Sequence, residues 1–495
     1  MYMKTKFVKL ALLATLLNAC NKDNFLEVVP ESERTVINFY KTSADFNNAA
    51  IGTYSTLKNG GLYGNGSGAL IWLGETITDN TGYGSTRQPI NISSFEIEDF
   101  NFSLSNSYFS SAWIGHYAGI ARANAILDRI NTVEFDETLK DQYEGEARFL
   151  RAIFYFNLVR LFGDVPLITA EINDPYGASK LTRNAVAEIY TLIESDLKIA
   201  EDKLPNVISA SNAGRASKWA AKALLGKVYL TRKQFDKAAA KLKEIIDDNK
   251  FSLLPNYADV FAASTSFAAN KEVLFAVQYK SGQIGQGSAL YSSWLPFNVN
   301  VPEFGVAGGN GGGINEPTAD LAAAYETGDL RKAVSLATSY HDAQNRVVND
   351  PYSIKFRQTG IISGDSDVDF PILRYADVLL MYGEALNENG NTLDGLKYLN
   401  MVRRRAFGFP INAVTNQPSD LVTLNPAEFR LKMENERRVE LAFESHRWFD
   451  LVRTGRLVEV MTAKGYAIKP YHILYPIPQR ELDLNPALGQ NQGYN

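Results

Sequence analysis

KWAAKALLGKVYLTRKQFDKAAAKLKEII, residues 218–246, reads as two amphipathic helices and a tight connection. Leu225-Gly226-x-x-Tyr229 followed by Ala238 has tetratricopeptide spacing, in which small residues let two antiparallel helices approach closely. A second, weaker copy surrounds Tyr382-Gly383-Glu384-Ala385. Working outward, residues 184–204 place Val186, Tyr190, Ile193, Leu197, Ala200 and Leu204 at steps of four and three, one apolar stripe seeking a neighbouring helix. Residues 108–130 and 139–162 form another helical pair, the second stopping at Gly163 and Pro166. A further helix starts at Thr42 or Ser43 as cap and sets Phe46, Ala50, Tyr54 and Leu57 on one face. Between the two repeat units, residues 272–279 (EVLFAVQY) read as a short buried strand.

Two segments break this periodicity. Residues 59–102 are punctuated by Gly60, Gly61, Gly64, Gly66 and Gly68 and are rich in Asn, Thr and Ser. Residues 280–317 set Tyr291, Trp294, Phe297 and Phe304 among Gly, Asn and Ser. Long irregular segments in a compact protein are usually functional, so both are candidate binding loops. The run Gly308–Gly313 lacks the Lys-Ser/Thr ending of a phosphate loop and reads as flexible chain.

The 495 residues are 45% hydrophobic and 12% aromatic, with a mean hydropathy of −0.18, enough for a large core. That length suggests two or more ordinary domains, although repeat folds also grow this long as one body. Net charge is −5, and −8 once the three lysines of the first 19 residues are set aside. This sign argues against nucleic acid, which needs a basic face, and against anionic headgroups. The single cysteine, Cys20, excludes an intramolecular disulfide and a Cys-based zinc site. It follows a leader with Lys4, Lys6 and Lys9 before a short apolar run, Leu10–Leu17, too short to span a bilayer. Leu17-Asn18-Ala19-Cys20 has the form of a lipobox, which predicts cleavage before Cys20 and acylation of that residue as the new N-terminus. No other apolar stretch is long enough to span a membrane.

Catalytic chemistry finds no constellation. A glycosidase needs two carboxylates facing one sugar, ~5–10 Å apart, one with a raised pKa. The acid-rich helix expected over residues 434–450 instead puts an arginine in helical reach of each acid: Glu434 with Arg438, Glu444 with Arg447, Asp450 with Arg453. Such pairing favours the ionised carboxylate, so the acids, with Arg403, Arg404 and Arg405, read as a structural ion-pair network. His116, His341, His446 and His472 are scattered and form no metal-ligand pair, and no nucleophile elbow is present.

Several separated stretches carry a resemblance. They are residues 145–166 (GEARFLRAIFYFNLVRLFGDVP), 187–205 (AEIYTLIESDLKIAEDKLP), 374–388 (RYADVLLMYGEALNE), 400–407 (NMVRRRAF), 436–455 (ERRVELAFESHRWFDLVRTG) and 475–494 (YPIPQRELDLNPALGQNQGY). In sequence and order they resemble the SusD/RagB-like outer-membrane lipoproteins of Bacteroidetes. Gly383 stands where that family often has Ala, and Ser445 where it often has Gly. The resemblance implies a mainly α fold of tetratricopeptide-like helix pairs, an α-α superhelix with long irregular loops and a few short strands. It divides the chain into a lipoprotein signal peptide (1–19), an N-terminal SusD-like helical region with a ligand loop (20–270) and a C-terminal SusD/RagB region (271–495), the last two forming one compact body. It also implies a lipid anchor at Cys20, a place on the outer membrane facing the cell exterior, and a SusC-like TonB-dependent transporter as partner. Asp23 resembles the signal that sends such lipoproteins outward.

The expected ligand is an oligosaccharide, bound without chemical change. Sugars offer flat C–H faces to aromatic rings and hydroxyls to amides, carboxylates and guanidinium groups. The first irregular segment supplies Asp79, Asn80, Tyr83 and Arg87, and the second Tyr291, Trp294 and Phe297. Asp79 and Arg87 are also carried over from the family's ligand loops. Trp294 is the favoured stacking platform, whereas Trp113, Trp219 and Trp448 lie on amphipathic helices and read as core. A peptide ligand, a scaffold that only docks the transporter, and a surface hydrolase are the alternatives. No cofactor is expected. A structural calcium stays open, because loop acids hold that ion without a recognisable motif.

Overall fold

A computed structural model describes residues 39–494 apart from 83–91 and positions 173, 175, 176, 178, 208, 210, 211, 266, 268, 298 and 343. The leader, Cys20 and Asp23 therefore lie outside the described residues. The chain is mainly helical. Helix α1 (Ser43–Ser55) begins with a capping box between Thr42 and Asp45, as the sequence predicts. Helices α2 (Ser107–Arg129), α3 (Glu137–Phe162), α4 (Val186–Lys203), α5 (Lys218–Thr231), α6 (Phe235–Asp247), α7 (Tyr375–Glu388), α8 (Thr392–Ala406), α9 (Pro426–Glu440) and α10 (Arg447–Thr454) follow.

From α2 to α8 each helix packs on the next, the nearest-neighbour arrangement of a helical repeat. Side-chain size explains the close crossings. A Cβ at Gly226 would sit 2.6 Å from the Leu242 side chain, and one at Gly383 would sit 2.9 Å from the Gly395 carbonyl oxygen. The α4 stripe buries Tyr190, Ile193, Leu197, Ala200 and the following Leu204. Asp196, fully buried on the same helix, accepts from Arg151 Nε at 2.8 Å and so ties α4 to α3. Trp113, Trp219 and Trp448 are buried, as expected of core residues.

The chain leaves this array after α6 and returns at α7, yet α6 and α7 pack directly together. The excursion goes out and back through one antiparallel pair. β2 (Val273–Val277), inside the stretch predicted as a strand, pairs with β4 (Phe370–Arg374), and Phe370 lies opposite Val277. The main core draws on both irregular segments as well as the helices, from Leu57 and Trp72 through Trp294 to Leu488.

A buried ion-pair network closes the C-terminal half. Arg374 contacts Glu272 at 3.1 Å and Glu440 and Glu444 at 2.6 Å. Arg405 shares Glu272 and Glu440, Arg331 joins Glu440 to Glu436, and Lys355 reaches Glu444 at 2.5 Å. Burial alone would push Glu440 up, but Arg405, Arg374 and Arg331 hold it well below the carboxylate range. The network matches the sequence reading, but most of its partners do not. Asp450 does meet Arg453 at 2.8 Å, whereas Glu434 pairs with Arg447 and Arg456, Glu444 with Lys355 and Arg374, and Arg438 with Asp79 and Asp320.

That repartnering has a backbone cause. The single helix expected over residues 434–450 breaks between α9 and α10, where Phe443 (φ +68°) and Ser445 (φ +60°) are left-handed. Their N–H groups donate to the buried carboxylate of Glu75 at 2.9 and 3.0 Å. A glycine at position 445 would adopt this conformation without strain.

Candidate functional site

The first irregular segment is not an open loop in its described part. Residues 62–82 are largely buried and fold into short turns, a helical turn (Ala69–Ile71) and a π-helical turn (Trp72–Thr76). Glu75 on that turn is fully buried. It accepts from Asn80 Nδ2 at 2.9 Å as well as from the 443–445 turn, and burial pushes its carboxyl up to about 7 against those hydrogen bonds.

The next residues are equally occupied. Asp79 makes a two-point contact with Arg447, both bonds 2.8 Å, and lies 3.1 Å from Arg438. Burial pushes Asp79 up, but Arg447 and Arg438 outweigh it and hold the carboxyl below its ordinary value. The Asn80 side-chain Oδ1 accepts from Arg438 Nε at 2.8 Å. Asp79 and Asn80 are therefore interior side chains that fasten the segment to α9 and α10, not outward ligand groups. Tyr83 and Arg87 lie outside the described residues. The residue before them, Gly82, pairs with Glu316 in a short antiparallel bridge of β1 (Thr81–Gly82) with β3 (Glu316–Pro317).

This bridge joins the first segment to the end of the second. The two meet again at the tryptophan favoured as a stacking platform. Trp294 is only 1% exposed, and its Nε1 donates to the Gly66 carbonyl at 2.7 Å. Its indole packs edge-on against Phe356, so no sugar reaches it. Tyr291 is also buried, with its hydroxyl toward the Phe304 carbonyl at 3.4 Å and its phenol pushed up by burial to about 12. Both residues are core, because an aromatic ring in a glycine-rich stretch can be covered by other loops as well as by ligand. Phe297 is half-buried. The glycine run 308–313 is exposed over its first half and packed at Gly311, Gly312 and Gly313. A Cβ at Gly311 would lie 2.0 Å from the Pro296 carbonyl oxygen, and one at Gly312 2.5 Å from that of Ser293. Close backbone approach requires Gly311 and Gly312.

Sequence reasoning missed what anchors the start of the second segment. Asp365, Asp367 and Asp369 alternate along extended chain and so share one face. Asp369 accepts from Tyr279 N at 2.8 Å, Asp367 from Ser281 N at 2.9 Å, and Asp365 from Gly282 and Gln283 N at 2.9 Å each. The D-x-D-x-D spacing was the available signal.

Outward-facing groups remain on the second segment and the strands behind it. Phe304, Tyr340 and Tyr352 form an aromatic cluster, with centroids 5.4 and 5.5 Å from Phe304 and 6.2 Å between the tyrosines. The two tyrosines are half-buried, and exposed Asn300, Asn310 and Arg357 belong to the same region of chain. The arrangement can offer aromatic edges and amide or guanidinium donors to a polyhydroxylated ligand. Of the acids in these segments, Glu75 is raised but fully buried, Asp79 is held ionised by its arginines, and burial raises Asp369 to about 6 while it accepts from Tyr279 N.

The sequence matches the SusD family over residues 344–494, and the family described as "Starch-binding associating with outer membrane" over residues 24–230. A SusD-like protein of Formosa agariphila is 28% identical over 96% of both chains. The starch-binding protein SusD of Bacteroides thetaiotaomicron is 23% identical over 76% of both. Among solved structures, a laminarin-binding SusD-like protein superposes with a TM-score of 0.76 at 27% identity, covering 92% of this chain and 100% of that one. A SusD superfamily protein of Parabacteroides distasonis gives 0.76 at 27% identity over 91% and 98%. With its helical array, short strands and these matches at both ends, the chain belongs to the SusD/RagB-like family of outer-membrane-associated, glycan-binding proteins.

Proposed function

We propose that this protein captures an oligosaccharide at the cell surface and passes it, unchanged, to a SusC-like TonB-dependent transporter. The observation that carries the ligand half of this reading is the set of half-buried aromatics, Phe297 on the second segment and Tyr340 and Tyr352 after it, with exposed Asn300 and Asn310. The relative that binds laminarin supports a glycan, and a β-glucan is the first ligand to try. Cys20 carries the lipid anchor in this reading, and Tyr83 and Arg87 remain candidate contacts.

Titration of the full mature chain with laminarin, starch and other plant or algal oligosaccharides tests it directly. Saturable binding, weakened by Tyr340→Ala, is expected, with no cleavage product on prolonged incubation. Binding of no glycan, or turnover of one, contradicts it. A Cys20→Ala chain expressed in a Bacteroidetes host should lose its lipid, and co-purification of the natural chain with a SusC-like transporter checks the partner.

A further inference from the structure

A small cavity of about 30 Å³ lies where α3, α5, β4 and the 443–446 turn meet the first irregular segment. It has room for one or two water-sized spheres and too little for a phosphate or a sugar. Its apolar wall includes Leu70, Ile153, Leu224 and Leu373. The polar wall is made mostly of donors. Asn157 is 2% exposed and Ser445 6% exposed, and neither Asn157 Nδ2 nor Ser445 Oγ has a hydrogen-bond partner in good geometry, although the Asn157 amide lies beside the Tyr63 phenol.

Two cations complete that wall, Arg160 and Lys227. Arg160 is held between the Phe156 and Phe449 rings, 3.8 and 3.9 Å from their centroids. Its hydrogen bonds go to the Phe156 carbonyl and Asn157 Oδ1, and it makes no ion pair among the described residues. The nearby acids face other cations. Asp377 accepts from Lys227 and Arg437, Asp450 from Arg437 and Arg453, and the wall residue Glu444 from Lys355 and Arg374. Lys227 also lies 3.0 Å from His446 Nδ1. Burial lowers Arg160 to about 10, as expected for a cation short of a counter-charge.

We infer that this cavity is a binding site for a monatomic anion of the halide class, held by Asn157 Nδ2, Ser445 Oγ, Arg160 and Lys227. An anion would accept from Ser445 Oγ, a buried donor that is otherwise unpaired at a cost, and from the Asn157 amide beside the Tyr63 phenol, and would neutralise the unpaired guanidinium. The apolar wall favours a weakly hydrated monovalent ion over a divalent one. The site lies beside the Glu75-bound turn, so occupancy would brace the junction between the helical array and the first segment.

Thermal unfolding of the full chain, in sodium gluconate replaced stepwise by chloride or bromide at constant ionic strength, tests this. The midpoint should rise by about 1–2 °C per tenfold increase in halide once the site begins to fill. Ser445→Gly removes one donor and relieves a left-handed backbone, so that variant should fold but respond more weakly to halide; Arg160→Met should lose the response. Bromide-soaked crystals should show an anomalous peak against Asn157 and Ser445. A midpoint indifferent to halide, a response unchanged in Ser445→Gly, or a peak without any response, meaning an adventitious ion only, would each overturn the assignment.

Discussion

The helical array and the two irregular segments both send side chains into the main core, but different kinds of neighbour bury them. In α4 the apolar residues repeat every three or four positions, and the structure buries that stripe. Trp294 obeys no such local rule: its indole N–H is satisfied by Gly66, 228 residues away in the chain. The difference teaches that burial in this fold has two origins. Periodic faces are buried by neighbours in sequence, and the segments by partners that only the completed fold supplies.

The comparison breaks most visibly at the buried network. Arg374→Met takes one shared cation from Glu272, Glu440 and Glu444, leaving them to Arg405, Arg331 and Lys355, and removal of one partner of such a buried set destabilises by about 3–5 kcal/mol. Chemical denaturation should show this loss. A loss below 1 kcal/mol would mean that the helices hold the C-terminal half without the network.

Glu75 gives the next effect, one that depends on pH. Its folded carboxyl keeps a proton up to about pH 7, against 4.5 in the unfolded chain. Protonation therefore stabilises fully below pH 4.5, and that stabilisation is lost as pH rises to about 7. Unfolding free energy measured across this window should fall more steeply in the natural chain than in Glu75→Gln. Equal slopes would remove Glu75 as the titrating group.

Smaller again is Trp294→Phe, which orphans the Gly66 carbonyl and loses ring volume, for about 1–3 kcal/mol. If the tryptophan locks the two segments together, the loss appears in stability and not in ligand affinity.

These contrasts show where the sequence was legible. The cap at Thr42, the stop at Gly163 and the small residues Gly226 and Gly383 are local or helix-to-helix rules, and each has its counterpart in the structure. Asp79 was recognisable as important but not as interior, because its partner Arg447 lies 368 residues further on. The break at 441–446 was hidden for the same reason: two left-handed residues persist there because Glu75, distant in sequence, accepts their N–H groups. Helical periodicity across residues 434–450 pointed the other way. The three alternating aspartates, Asp365, Asp367 and Asp369, were visible as a pattern, but their acceptor role required knowing that residues 279–283 run beside them.

The most direct test is one calorimetric titration of a bound glycan into the natural chain, Tyr340→Ala and Trp294→Phe. The account predicts that Tyr340→Ala weakens binding by about 1–3 kcal/mol with a smaller fall in unfolding midpoint than Trp294→Phe, which melts earlier and binds as before. Normal affinity in Tyr340→Ala together with lost affinity in folded Trp294→Phe would contradict it, returning the ligand to the buried indole.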